Sequence, residues 1–473
     1  MISQAFKLCL FLTVATIAAQ ALYVRSPQYY ADLFSFTRHD VQGFEYTEQQ
    51  LWFESQKVDH FKPQDTRVFP QRYWVSADYY QPNGPVFLYI CGEYTCPGIN
   101  QERLFPVQLA QEHNALFVVL EHRFYGFSQP FANLSTESLS YLTVEQALED
   151  LAYFIGWFKV NSGYQLTPQQ PWITIGGSYP GALSAWFRYK YPHLTVGAWA
   201  SSAVVNAITD FPDFDNQIFL STNKSGSECP TLIQNLTAYF ETQLYNTPAL
   251  VQKQFQARFG ENATLLSREE LLWFISDVFV ESVQYGSRES LCEFLTNITD
   301  FSTLVNQAIS YIVEKGDPRS YGSYFLKNPT FSPATMDLGR QWIYQVCSQF
   351  GWLQTPSQTR SNAMRSQKVN LAFYKKFCQD VFGIPLWPDT DAINNELGGL
   401  DLQATRLIMT NGGEDPWQWA SKTTSSGDIE AILIDCDDCA HCVDLYNPKD
   451  GDAQALKDAR EQISAKIAEF LST

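Results

Sequence analysis

A serine lies among glycines directly behind a short apolar run, an arrangement typical of a nucleophile elbow. The run at residues 172–175 leads into Gly-Gly-Ser-Tyr-Pro-Gly at residues 176–181, and a helix-forming segment follows. Small residues around a serine permit the sharp strand-to-helix turn that lifts its hydroxyl above a sheet. Because such a turn exposes the hydroxyl, the sequence predicts Ser178 as the nucleophile of covalent catalysis.

A histidine must accept the proton of that hydroxyl. In an α/β-hydrolase-type triad the acid and the histidine follow the serine along the chain, and only two of the six histidines, His193 and His441, do so. His193 comes just past the predicted elbow helix, where it is poorly placed to fold back over Ser178. We therefore predict that His441 takes the proton and returns it to the leaving group. A surface histidine or a zinc ligand is the alternative interpretation.

The candidate acid lies in the loop after the penultimate predicted strand, which reads Thr-Asn-Gly-Gly-Glu-Asp-Pro-Trp at residues 410–417. Asp415 is favoured over Glu414, because a short carboxylate among turn residues and before a proline is more rigidly placed. Its role would be to hold the tautomer of His441 and to stabilise the imidazolium. The alternative is that Asp415 only shapes the turn.

An oxyanion hole requires backbone N–H groups directed at the developing negative charge. The N–H of Tyr179, the residue after the nucleophile, is the predicted first donor. The predicted source of the second is the loop that follows an early apolar run and contains Gly92 and Glu93, since a glycine allows close approach of the backbone.

Cysteines surround the candidate histidine. Cys436, Cys439 and Cys442 lie within five residues of His441, and neighbouring Cys and His can bind zinc. A closed structural zinc site would need a second, distant Cys-x-x-Cys pair, which the sequence lacks. We therefore expect disulfides that brace this loop, no metal and no cofactor.

Buried parallel strands are the elements that must position these residues. Continuous apolar runs alternate with helical segments, as expected of a sheet that is buried on both faces. A capping-box pattern at residues 143–146 begins one of the helices. The resulting βαβ series predicts an α/β fold. The runs lie at residues 85–91, 115–120, 172–175, 196–200, 406–409 and 431–434, and a last amphipathic helix follows them.

The middle of the chain follows a different pattern. From about residue 207 to 400, longer amphipathic segments such as residues 268–283 are joined by polar, aromatic-rich connections. We predict an α/β-hydrolase fold whose core comprises residues 22–206 and 401–473, with a mainly helical cap inserted at residues 207–400. The length of 473 residues agrees with such an insertion, because a single core rarely grows that large.

Composition and charge restrict the partners and the compartment. The chain is 45% hydrophobic, and its net charge of −18 disfavours nucleic acid and anionic membranes as partners. Residues 1–21 form a predicted signal peptide, in which Lys7 precedes an apolar stretch that ends in Ala-Gln-Ala. We expect a protein without a membrane span that is secreted or enters the lysosomal lumen.

Sequons and the cysteine count fit that route. The acceptor sequons for N-glycosylation are at Asn133, Asn223, Asn235, Asn262 and Asn297. Loss of Cys9 with the signal would leave nine cysteines, so at least one is unpaired or bonds to another chain. The sequence leaves the oligomeric state open, with a homodimer as one alternative.

Taken together, these motifs resemble the serine carboxypeptidase family that contains lysosomal Pro-X carboxypeptidase, dipeptidyl peptidase II and thymus-specific serine protease. The cysteine after the histidine is most similar to the thymus-specific branch. The motifs, in chain order, are Val-Asp-His-Phe at residues 58–61, Glu-His-Arg-Phe-Tyr-Gly at 121–126, Gly-Gly-Ser-Tyr at 176–179, the segment 411–417, and Ala-His-Cys-Val-Asp at 440–444.

The resemblance implies an α/β-hydrolase domain with a helical cap and exopeptidase cleavage of short peptides at prolyl bonds. Ser178, Asp415 and His441 match the family's triad. Trp417 would help to wall an apolar pocket for the residue before the scissile bond. Ala182 occupies a position where relatives can carry a bulkier pocket residue.

Pro180 departs from the family pattern, which usually has glycine or another small residue there. Proline in a first helical turn loses only an N–H that would be unpaired anyway, so we expect the elbow to form, with a ring close to Ser178. Two other functions remain as alternatives. One is an esterase or lipase, because the same triad serves any acyl transfer, and the other is a catalytically silent binding protein on the same fold.

Overall fold

The computed structural model describes residues 50–100, 103–332 and 335–472, and the predicted signal peptide lies outside these ranges. Most strands belong to one sheet, and a separate small sheet pairs two short strands. The strands are β1 Leu51–Lys57, β2 Val68–Ser76, β3 Val86–Ile90, β4 Leu116–Leu120, β5 Trp172–Gly177, β6 Gly197–Ser201, β7 Ile208–Asp210, β8 Gly351–Leu353, β9 Leu407–Gly412 and β10 Ile429–Ile434.

The large sheet has the strand order β1-β2-β4-β3-β5-β6-β9-β10. β2 pairs antiparallel with β1 and with β4, whereas all pairs from β4 to β10 are parallel. β3, β4, β5 and β6 are completely buried, because helices cover both faces, as in other parallel sheets. This is the predicted α/β-hydrolase fold, and each predicted apolar run forms a strand.

Three helices of the first half of the chain pack on this sheet: α1 Phe105–Glu112, α3 Val144–Asn161 and α4 Tyr179–Lys190, and the short helix α2 Thr136–Leu139 precedes α3. At the start of α3 the Thr143 side chain accepts the N–H of Gln146, as predicted. The Gln146 side chain does not complete the capping box. It binds the side chain of Asp59 and the N–H of His60 instead.

Helices dominate the segment between β6 and β9. They surround the carboxyl edge of the sheet, and a last helix, α15 Gln454–Leu471, returns to the core after β10. The helices of the segment are α5 Pro212–Lys224, α6 Glu228–Tyr245, α7 Ala249–Ala257, α8 Arg268–Gln284, α9 Arg288–Thr296, α10 Phe301–Lys315, α11 Ser323–Leu326, α12 Arg340–Gln345, α13 Leu371–Phe382 and α14 Thr390–Leu397. We refer to this segment as the cap.

Disulfides join neighbouring segments in both parts of the fold. The pairs are Cys91–Cys96, Cys229–Cys292, Cys347–Cys378 and Cys436–Cys439. Cys442 is buried with a free thiol. The predicted disulfide beside His441 and the predicted odd cysteine are both confirmed.

The surface carries the predicted sequons. Asn133, Asn223, Asn235, Asn262 and Asn297 are all exposed to solvent, so each side chain is accessible to modification, and glycosylation itself stays a prediction. Within the described ranges, no helix combines the length and the apolar character needed to cross a bilayer.

Candidate active site

The carboxyl ends of adjacent parallel strands bring the three predicted triad residues to one edge of the sheet. Gly177, the last residue of β5, is in register with Ser201 at the end of β6. Gly412, the last residue of β9, is in register with Ile434 at the end of β10. Ser178 follows β5, Asp415 follows β9 and His441 follows β10. Ligand and active sites of open α/β sheets form at this edge.

Ser178 occupies a strained turn between β5 and α4. Its φ of 64° and ψ of −131° lie in a region that non-glycine residues rarely adopt. Two neighbouring glycines make the turn sterically feasible. A Cβ at Gly176 would lie 2.2 Å from the carbonyl oxygen of Pro180, and one at Gly181 would lie 2.6 Å from that of Ser201. The strand-to-helix elbow predicted from the sequence is therefore present.

Pro180 fits into this elbow without disrupting the helix. It occupies the first turn of α4, as expected, and its ring lies against the loop after β3. A Cβ built on Gly92 would lie 2.3 Å from Cγ and 2.7 Å from Cδ of Pro180. Glycine at position 92 thus allows the loop of Gly92 and Glu93 to lie directly beside the elbow, which is where a second oxyanion donor is required.

Asp415 and His441 form a buried hydrogen-bonded pair. Nδ1 of His441 lies 2.8 Å from Oδ2 of Asp415, and both side chains are almost completely shielded from solvent. Oδ1 of Asp415 accepts the N–H of Trp417 at 2.9 Å, which fixes the carboxylate. Because an ionised carboxylate only accepts hydrogen bonds, this contact places the proton of a neutral His441 ring on Nδ1.

The cap contacts the loop that carries His441. The N–H of His441 donates to the carbonyl oxygen of Gln284 at the end of α8, at 2.9 Å. The histidine ring also lies near two aromatic side chains, with centroid distances of 6.2 Å to Tyr285 and 6.3 Å to Trp417. The position of His441 therefore depends on both the core and the cap.

Arg288 of α9 links the cap to the loops of both Asp415 and His441. Its guanidinium forms two hydrogen bonds with the buried carboxylate of Glu414, at 3.1 and 2.9 Å. A third hydrogen bond, at 2.6 Å, joins it to Asp437. Glu414, rejected above as the triad acid, is therefore a structural partner of the cap. Sequence reasoning missed this role, because Arg288 and Glu414 are 126 positions apart.

The side chain of Tyr179 is fixed by a buried network that the sequence did not indicate. Nδ1 of His122 donates to the carbonyl oxygen of Arg123, so Nε2 accepts the Tyr179 hydroxyl at 3.0 Å. Gln345 of the cap donates to the same hydroxyl at 3.0 Å. Burial lowers the pKa of His122 to about 4, which keeps the ring neutral above that pH. His122 belongs to the motif at residues 121–126, which contributed to the family resemblance but indicated no function for this residue.

A cavity of about 160 Å³ lies between the elbow and the cap. Ser178, Glu93 and Trp417 contribute to its wall, and so does the Cys347–Cys378 disulfide. Aromatic side chains of the cap supply much of the remainder, namely Trp273, Trp342, Trp352, Tyr374 and Phe377. The cavity is thus mainly apolar and opens onto the candidate nucleophile, as ligand pockets commonly do.

The two predicted pocket residues differ in their placement. Trp417 lines the cavity and packs edge to face on Phe214 at a centroid distance of 5.0 Å. Ala182 is fully buried inside α4 and belongs to the hydrophobic core. It is not among the described residues of the cavity wall, because its position in the helix points into the packed interior.

Comparison with known proteins decides the family. A family model described as serine carboxypeptidase S28 matches residues 56–463. The chain belongs to the serine carboxypeptidase S28 family. It is therefore a serine-type peptidase, and the resemblance inferred from the sequence motifs is confirmed.

Several relatives support this assignment. The chain is 38% identical to the probable serine protease EDA2 of Arabidopsis thaliana, over 87% of this chain and 84% of the relative. It is 30% identical to the mouse thymus-specific serine protease, over 89% of this chain and 87% of the relative. A probable extracellular serine carboxypeptidase of Arthroderma benhamiae is 27% identical, over 88% of this chain and 66% of the relative.

Proposed function

We propose that this chain is a serine exopeptidase that hydrolyses short peptides at prolyl bonds through a triad of Ser178, Asp415 and His441. The observation that carries the proposal is the buried 2.8 Å contact between Nδ1 of His441 and Oδ2 of Asp415. It lies at the sheet edge that also bears the strained elbow of Ser178. Membership of the S28 family supports the reaction class.

In the acylation step, Nε2 of His441 accepts the proton of the Ser178 hydroxyl while Oγ bonds to the carbonyl carbon of the substrate. The carbonyl oxygen becomes an oxyanion, which accepts hydrogen bonds from the N–H of Tyr179 and from the loop of Gly92 and Glu93. The carbon–nitrogen bond then breaks, and the imidazolium gives its proton to the leaving amine. Asp415 stabilises the imidazolium throughout.

Water completes the cycle. His441 accepts a proton from the water as its oxygen bonds to the acyl carbon, the same oxyanion hole binds the second tetrahedral intermediate, and the ester bond to Oγ breaks. The proton returns to Oγ of Ser178 as the carboxylic product leaves.

The lining of the cavity favours binding of a substrate with a small apolar residue before the scissile bond. The indole of Trp417 and the aromatic side chains of the cap surround the space next to Ser178, and a proline ring packs well on aromatic faces. A volume of about 160 Å³ under the cap is far too small for a folded chain, which favours action on the end of a short peptide.

The proposed location is the secretory route, either outside the cell or in the lysosomal lumen. Structural disulfides form and persist in oxidising compartments, and the described residues form four of them. The sequon asparagines are exposed, and a fungal relative carries the name extracellular. Short peptides are the proposed substrates, and neither a cofactor nor nucleic acid is required by this chemistry.

Turnover of matched reporters tests the proposal. X-Pro dipeptidyl reporters, peptides that end in Pro-X, the same molecules with alanine for proline, and short acyl esters are compared with wild-type protein. We expect prolyl peptides to be cleaved fastest, and Ser178→Ala to lower kcat by at least about 10⁴-fold. The control Ser140→Ala, at an exposed position, retains wild-type rates. Cleavage of the esters alone would overturn the peptidase assignment in favour of an esterase.

A further inference from the structure

Glu93 places an unpartnered carboxylate beside the candidate nucleophile. It lines the same cavity as Ser178, and its Oε2 is buried without a hydrogen-bond partner among the described residues. The loop that carries it is fixed on both sides, by the Cys91–Cys96 disulfide and by the contact of Gly92 with the ring of Pro180. The carboxylate is therefore held in the cavity wall.

An unpartnered buried carboxylate is unfavourable in the free protein. Loss of hydration disfavours the charged form, and burial raises the pKa of Glu93 to about 7, although the nearby His441 opposes the shift. A cation bound in the cavity would supply the missing partner, because an opposite charge within about 4–6 Å favours the ionised carboxylate.

Two other carboxylates of the cavity wall have cationic partners from the protein itself. Asp277 forms an ion pair with the buried Arg365 at 3.3 Å, and Asp317 pairs with Arg319 at 2.7 Å. Glu93 differs from them, because its Oε2 has no such partner in the described chain. A bound ligand with a positive charge could therefore neutralise the Glu93 carboxylate.

We propose that Glu93 binds the α-ammonium group of the peptide substrate, so that the enzyme removes residues from the amino end. The inference rests on the proposed function, because it takes Ser178 as the nucleophile. A short apolar peptide has charge only at its two ends. Its carboxyl-terminal carboxylate would be repelled by Glu93, whereas its ammonium group satisfies the buried oxygen with a charge-assisted hydrogen bond.

The experiment compares four forms of the peptide Ala-Pro-Ala-Pro-Ala: both ends free, N-methylated, N-acetylated and C-amidated. Methylation keeps the charge of the terminal amine, whereas acetylation removes it. With wild-type protein we expect the N-terminal fragment to be released from the free, N-methylated and C-amidated forms. N-acetylation should lower kcat/KM on the order of 100-fold, as expected when one partner of a buried charge pair is lost.

Glu93→Gln assigns the effect to this residue. The variant keeps the backbone N–H of position 93 and removes the charge, so the ratio of kcat/KM for the free and N-acetylated peptides should fall from about 100 to within a few-fold of one. Glu137→Gln, an exposed change of the same chemistry, should leave the ratio unchanged. A ratio that stays at about 100 in Glu93→Gln would overturn the role of Glu93, and if the variant does not fold, equal cleavage of the free and N-acetylated peptides by wild-type protein would still overturn it.

Two failures can be told apart. A wild-type protein that cleaves the N-acetylated peptide as fast as the free one, or that loses activity on C-amidation, overturns the role of Glu93 and leaves the peptidase assignment intact. A wild-type protein that cleaves none of the four forms and is not labelled by a fluorophosphonate overturns the proposed function itself.

Discussion

Gly92 and Pro180 meet where the loop after β3 contacts the nucleophile elbow, and a Cβ on Gly92 would lie 2.3 Å from Cγ of Pro180. The contact joins the two segments that carry the proposed oxyanion donors. Pro180 is the residue that departs from the expected elbow pattern. Its ring leaves no room for a side chain at position 92, so glycine is required there.

This relationship predicts a compensating pair of substitutions. Gly92→Ala should displace the loop and lower kcat/KM on the order of 100-fold, the usual effect of losing one oxyanion donor. Pro180→Ala removes Cγ and Cδ and leaves Cβ, which would lie 3.8 Å from a Cβ at position 92. The double variant should recover most of the lost kcat/KM. Equal losses in the single and double variants would show that the contact is unrelated to catalysis.

A second prediction concerns the tautomer of His441. Asp415→Asn keeps the shape of the side chain but replaces the acceptor oxygen with an amide, so the ring loses the partner that fixes its proton on Nδ1. We expect kcat to fall about 10⁴-fold with little change in KM. Steady-state kinetics on the preferred reporter measures this, and circular dichroism checks the fold. A loss below about 10-fold would contradict the assignment of Asp415.

A third prediction concerns the attachment of the cap through Arg288. Arg288→Met removes the bidentate partner of the buried Glu414 carboxylate and leaves it, among the described residues, with the partly exposed Lys224 at 3.3 Å. Breaking a buried pair in this way should lower the free energy of unfolding by about 3–5 kcal/mol. Urea unfolding measures the change.

The matched control for Arg288 is an exposed ion pair of similar length. Lys190 and Glu396 lie 2.7 Å apart, and 32% and 44% of their side-chain surfaces are exposed, so Lys190→Met should cost less than about 1 kcal/mol. Equal effects of Lys190→Met and Arg288→Met would mean that the buried pair does not attach the cap.

A fourth prediction follows from two buried groups whose pKa values shift in opposite directions. Burial raises the pKa of Glu93 from 4.5 to about 7, so the folded state binds more protons than the unfolded state between these values. Stability therefore falls as pH rises from about 4.5 to 7, by about 3 kcal/mol in total. Glu93→Gln should remove this fall.

His122 contributes with the opposite sign. Burial lowers its pKa from 6.5 to about 4, so the unfolded state binds more protons in that window, and stability rises with pH from about 4 to 6.5 by about 3 kcal/mol. The two contributions largely cancel in the wild-type protein. Urea unfolding at several pH values should therefore show that stability rises more with pH in Glu93→Gln than in the wild-type protein, by about 3 kcal/mol between pH 4.5 and about 7, and the same pH dependence in both proteins would contradict the account.

The sequence predicted those features that depend on local pattern. Apolar runs identified the parallel strands of the large sheet from β3 onward, and the order of motifs singled out Ser178, Asp415 and His441 as the candidate triad. β1 and β2 were not predicted, because they pair antiparallel at the sheet edge and only part of each is buried. A mixed burial pattern with Pro70 inside β2 gives no continuous apolar run.

Long-range contacts could not be predicted in the same way. The pairing of Arg288 with Glu414, and of Gln345 with Tyr179, joins residues that are 126 and 166 positions apart, and no spacing rule connects them. The contact of Gly92 with Pro180 likewise arises from the close approach of two loops. Such contacts come from tertiary packing of the cap on the core, which local periodicity does not report.

Mass-spectrometric mapping of a fluorophosphonate adduct tests the central claim most directly. A nucleophile activated by the Asp415–His441 pair should give one phosphonylated residue, Ser178, in wild-type protein, with labelling abolished in Ser178→Ala and strongly slowed in Asp415→Asn. An adduct on another serine, or labelling that persists in Ser178→Ala, would contradict the account.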